Sequence, residues 1–233
     1  MPILGNMNFL SHFYFERNNP DENMVLGVVL PDFIKNAQKD VNLYPLKTKQ
    51  LFEPDPAQVS ILKGWEKHIA VDQIFHSSEF FQQHTSELKQ LILPACENSP
   101  VKPFFLAHIG LELILDHLLV SDNLVSINVF YQQLSLANKV SLDNFLHTSS
   151  LENTTIFFNF LNNFISGRYL FSYQKMENIT YALNRICMRL WNNPFTEMQL
   201  AALTLQLEVF KKDIKNNYLS VFDDIEKTLV NSR

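Results

Sequence analysis

Apolar residues return at helical spacing along nearly all of this 233-residue chain, and that period limits its fold more than any other feature. No segment shows the strict alternation of a half-buried strand. Only 5 glycines are present, too few for a hairpin-rich sheet or a phosphate-cradling loop. The expectation is an all-α fold, a single domain over 1–233 with about nine or ten helices.

Proline and capping residues divide the pattern. "MNFLSHFYFE" reads as the first helix, followed by "PDENMVLGVVL" with Asp21 as N-cap. Pro31 interrupts, "DFIKNAQ" continues, and "VVL" also fits a short buried strand. A loop spans Asp40 to Asp55, and Asp55-Pro56 opens the long helix "PAQVSILKGWEKHIAVDQIFHS". Ser77 or Ser78 caps "EFFQQHTSELKQLIL", and Pro103 opens the helix containing "LELILDHLLV". Ser121 is expected to break that helix and cap "DNLVSINVFYQQLSLA". Three further helices lead to one long C-terminal helix, "TEMQLAALTLQLEVFKKDIKNNYLSVFDDIEKTLV".

The net charge of -5 carries no signature of nucleic acid or an anionic membrane surface. Apolar runs read as shorter than the ~18 residues of a spanning helix, and the N-terminus lacks the features of a signal peptide. Cys96 and Cys187 stand far apart with no CxxC spacing, as reduced thiols of a cytoplasmic protein would.

Two helices repeat polar residues where a core is expected. His68, Asp72 and His76 follow each other at i, i+4, i+8, and so do His108, Glu112 and Asp116. Residues four apart stack on one helix face, so each row offers imidazole and carboxylate along one line. Those ligands suit manganese, iron, zinc or magnesium. A solvated stripe has the same spacing, but Ile69, Val71, Ile74 and Phe75 make the first helix largely apolar. In the second, Glu112 and Asp116 lie among leucines, where an unpaired carboxylate is costly. His117 follows directly. His108 also fits a hydrogen-bonded core histidine, as does His12 beside Phe9, Phe13 and Phe15. Asp32, near a helix start, fits an N-cap. The Ser, His and Asp of "KVSLDNFLHTSS" are neighbours in sequence, which does not make a triad.

Five stretches in order resemble the acyl carrier protein phosphodiesterase family. They are "MNFLSHFYF" from Met7, "LGVVLPDFIK" with Gly27, Asp32, Phe33 and Lys35, "GWEKHIAVD" with Gly64, His68 and Asp72, "ELILDHLLV", and "ALNRICMR" with Asn184 and Arg189. The resemblance implies an HD-like helical metallohydrolase, typically using manganese, that removes the 4′-phosphopantetheine arm from a serine of holo-acyl carrier protein. It makes Met1 to Asn6 an N-terminal extension. It implies a metal set of Asp32, His68, Asp72, Asp116 and His117, with His12, His76 and Glu112 as further candidates. Asp32, Asp72 and Asp116 are the implied catalytic carboxylates. Lys35, Lys67 and Arg189 are the cations available to a substrate phosphate.

This chain departs from the family at three places. Ile69 stands where the family has an arginine after the motif histidine, His76 replaces an acid, and Glu112 replaces an aspartate. The last two changes keep metal-binding chemistry; the first removes a cation suited to phosphate. A helical module that binds an acyl carrier protein or another partner without cleaving it is the alternative.

Overall fold

The computed structural model describes residues 9–231. Among these the fold is all-α, as the period requires, with twelve α-helices, three 3-10 segments and no strand. The expectations for Met1 to Asn6 lie outside the described residues.

The count exceeds the expected one because tertiary contacts break segments that the period runs together. Helix α1 covers Phe9–Tyr14, α2 covers Glu22–Gly27 and α3 covers Leu30–Ala37. Asp21 caps α2 as expected, accepting from the backbone N–H of Asn23 and Met24. The candidate strand "VVL" is instead a buried turn, Val28 and Val29, leading into α3. Pro31 does not interrupt; it sits in the first turn of α3, where its missing N–H costs nothing. The loop from Asp40 contains a 3-10 segment, Pro45–Leu51. Helix α4 then runs unbroken over Pro56–Ser77, with Asp55 accepting from the N–H of Ala57 and Gln58.

Helix α5 covers Glu79–Ile92 under a Ser78 cap, and α6 covers Pro103–Ser121. Ser126, not Ser121, caps α7 (Ile127–Leu136). Helices α8 (Lys139–Thr148), α9 (Thr155–Gly167) and α10 (Met176–Cys187) follow. The single long C-terminal helix is two, α11 (Glu197–Ile214) and α12 (Leu219–Asn231). The turn between them brings Lys215 and the Tyr218 hydroxyl to the Asp122 carboxylate, at the end of α6. Burial works against that charge, but Lys215 and Tyr218 hold its pKa below the usual range.

The chain divides into two compact units. Among the described residues, one comprises 9–11, 72–124 and 172–231; the other comprises 12–71 and 125–171. In the first, α6 is the core helix, packed on α5, α10 and α11. It corrects the expectation about apolar runs: within its 19 residues an 18-residue window has a mean hydropathy of 1.6, enough by length and composition to cross a membrane. Its window is 83 % buried inside the protein, as in a core helix. Both cysteines are free and buried. In the second unit, α2 packs on α7 and α3 on α9. There α2 and α4 cross at Gly27 and Gly64. A Cβ at Gly64 would lie 2.5 Å from the Met24 carbonyl oxygen and 2.6 Å from the Gly27 Cα. Only glycine permits that approach.

Candidate functional site

The crossing of α2 and α4 carries the polar residues of the second unit. Gly64 seats α4 against α2, His68 follows one turn later, and Asp32 enters from the start of α3. His68 Nδ1 lies 2.8 Å from the Val28 carbonyl oxygen in the turn before α3. A carbonyl only accepts, so Nδ1 carries a proton and the ring's second nitrogen is Nε2. That nitrogen faces Asp32 Oδ1 at 3.6 Å. The His12 ring from α1 stacks on the His68 ring, with centroids 3.9 Å apart and planes 19° apart. His12, Asp32 and His68 are all at most 3 % exposed. Asp72 is one turn beyond His68 on the same unbroken helix. An imidazole that donates one N–H to a backbone carbonyl while turning the other nitrogen to a carboxylate has the arrangement of a metal-ligating histidine.

A second cluster of described side chains that could hold a metal ion, His76, His108 and Glu112, lies wholly in the first unit, with its ligand atoms within 4.8 Å of one another. His76 Nε2 and His108 Nε2 stand 3.3 and 3.1 Å from the same oxygen, Glu112 Oε1. Burial lowers the His76 pKa, but the Glu112 hydrogen bond and the charges of Glu112 and Asp72 outweigh it, and the net direction is upward.

The Asp116-His117 doublet splits between two tasks. Asp116 is fully buried and accepts from Leu10 N at 3.2 Å, Ser11 N at 2.7 Å and Ser11 Oγ at 2.6 Å. These amides belong to the start of α1, where a helix has no internal acceptors to offer. Asp116 therefore caps the helix that carries His12. Burial pushes its pKa up to about 7, against those hydrogen bonds. His117, the next residue, donates from Nδ1 to the Tyr173 carbonyl at 2.6 Å, and its Nε2 meets the Ser121 hydroxyl at 3.4 Å. Burial lowers its pKa.

The candidate phosphate-binding cations have engagements of their own. Lys67 is paired with Glu16 and also donates to the Phe15 carbonyl. Lys35 donates to Asn42 Oδ1 at 2.7 Å, and Arg189 is exposed just past α10. Ile69 is 42 % exposed beside His68, so the position of the missing arginine is open to solvent. Sequence reasoning left His108 with two readings, a member of the polar row with Glu112 and a hydrogen-bonded core histidine, and assigned no role to Ser11. The i, i+4 spacing to Glu112 was the signal for His108, but spacing could not say which histidine would join it from another helix.

The sequence profile of the acyl carrier protein phosphodiesterase family matches residues 7–225. The chain belongs to that family. The match takes in α1 to α11 and the first half of α12, so the acyl carrier protein phosphodiesterase region reaches into both units. No curated protein and no solved structure matches the chain.

Proposed function

We propose that this family member is a metal-dependent phosphodiesterase that releases 4′-phosphopantetheine from holo-acyl carrier protein. The observation that carries the reading is the buried His12–His68 pair beside Asp32, with His68 Nδ1 donating to the Val28 carbonyl. Two imidazoles with the Asp32 carboxylate suit a divalent cation, and manganese is the ion the family resemblance favours. A bound cation would polarise the phosphoryl oxygen and lower the pKa of a water molecule. His12, His68 and Asp32 would hold it. Asp116 acts one step back: by capping α1 it fixes where His12 stands, so it is a positioning residue. Hydrolysis adds water at phosphorus and breaks the bond to the serine oxygen, which leaves and takes a proton. Apo-carrier and 4′-phosphopantetheine result.

The test incubates the protein with holo-acyl carrier protein and manganese and follows the carrier by mass spectrometry. Loss of the arm is expected, as is no loss with His68→Ala or Asp32→Asn. A carrier that stays intact with metal-loaded, folded protein would overturn the reading. The open, uncharged Ile69 favours the second reading, a module that binds the carrier without cleaving it; binding without loss of the arm would support that one.

A further inference from the structure

The phosphodiesterase reading leaves the second histidine group unused. His76 ends α4, His108 lies in the second turn of α6, and Glu112 follows one turn later on α6. Glu112 is 1 % exposed, with Leu111 and Leu113 buried on either side. Phe81, from the first turn of α5, sets its ring edge-on to both imidazoles, with centroids 4.9 Å from His76 and 4.8 Å from His108.

We propose that His76, His108 and Glu112 form a second divalent-metal site, separate from the His12–His68 group and taking a borderline first-row ion such as zinc. The donor set is the first argument: two imidazoles and one carboxylate are a recurrent zinc set, with a fourth position left for water. Spacing is the second. Donors each about 2.0–2.2 Å from one ion stand about 3.0–3.5 Å apart at octahedral or tetrahedral angles. The two nitrogen–oxygen separations here, 3.1 and 3.3 Å, fall in that interval. Burial is the third. A carboxylate this deep among leucines requires cationic or hydrogen-bonding partners, and both rings present the same nitrogen to the same oxygen. The group also has a way in: the His108 side chain is 12 % exposed and the His76 side chain 26 %. Phe81 limits how either ring can turn, which keeps the donors converged.

The experiment uses the full chain, stripped with a chelator and then titrated with zinc by calorimetry. Cobalt serves as the optical probe of the donor set. About two equivalents are expected for the unaltered protein. H108A should lose one of them and, with it, the cobalt absorption of that site. H68A should lose the other and leave the first. H76A gives a milder second removal, and circular dichroism checks that each variant stays helical. Retention of both equivalents in folded H108A and H76A overturns the proposal. So does loss of the same single equivalent in H108A and H68A, which would mean one shared site. If the His68-dependent equivalent fails while the His108-dependent one persists, it is the phosphodiesterase reading that loses its metal.

Discussion

Asp116 shows how burial and hydrogen bonding compete over one carboxylate. Its three hydrogen bonds hold the start of α1, and burial sets its pKa at about 7 against 3.8 for the free group. A carboxyl group whose folded pKa is raised binds its proton more tightly in the native state. Its contribution is therefore complete below the unfolded pKa and is lost as pH rises through the folded one. Asp116→Asn does not titrate. The stability difference between wild type and variant should shift against the wild type from about pH 4 to about pH 7, by at most ~1.4 kcal/mol per unit. Urea unfolding of both proteins across that range checks it; a constant difference would mean that Asp116 ionises normally. At Ile69 the issue is charge. The side chain is 42 % exposed, so Ile69→Arg should change stability by less than ~0.5 kcal/mol. It should raise kcat/KM on holo-acyl carrier protein, by up to ~100-fold if the guanidinium reaches the phosphate as an oxyanion donor would. The resemblance put Asp116 and His117 in one implied metal set. Successive residues of a helix point about 100° apart, and the two side chains find different hydrogen-bond partners.

Among the elements, the crossing of α2 and α4 fixes His68 relative to Asp32, and it depends on two glycines far apart in sequence. Gly64→Ala would drive a methyl group into the backbone of α2, 2.5 Å from the Met24 carbonyl oxygen. Backbone cannot rotate away as a side-chain tip can, so α4 must lift. A loss of about 1–3 kcal/mol is expected, toward the upper end of overpacking costs. Gly167→Ala, with nothing within 4 Å, is the control and should not lose stability through packing. Thermal unfolding of the two variants measures the contrast, and equal melting points would remove the close approach as a constraint. The existence of most helices could be read from period and caps, as with α4 after Asp55-Pro56 and α5 under Ser78. The breaks could not. The one between α11 and α12 has no proline or glycine; it bends where Lys215 and Tyr218 meet Asp122 from α6. Such a contact is long-range and leaves no local mark. His12 read on its own residues as a core histidine and through the resemblance as a further metal candidate; its stacking on His68 is long-range and could not be read.

For the whole molecule, neither unit is a continuous stretch of chain, so no single truncation isolates one of them. What the chain as a whole presents to a partner at long range is its net charge of -5, from 24 acidic and 19 basic residues. An acyl carrier protein is itself acidic, so on the phosphodiesterase reading the two repel before they touch. Of the candidate cations, Lys67 is already paired with Glu16, which leaves it little charge to offer at a distance. Repulsion between exposed charges is screened beyond about 8–10 Å at physiological ionic strength, and over about 30 Å at 0.01 M. Association with the carrier should therefore speed up as salt rises from ~0.01 to ~0.15 M, the reverse of an encounter steered by opposite charges. Initial rates at substrate concentrations well below KM isolate kcat/KM, and hence the encounter. A rise over that interval is expected, with kcat itself little changed, because contacts formed after docking are less screened. A steep fall in kcat/KM would instead mean that a local basic surface dominates the net charge, and would turn attention to the exposed Arg189 and the half-buried Lys35.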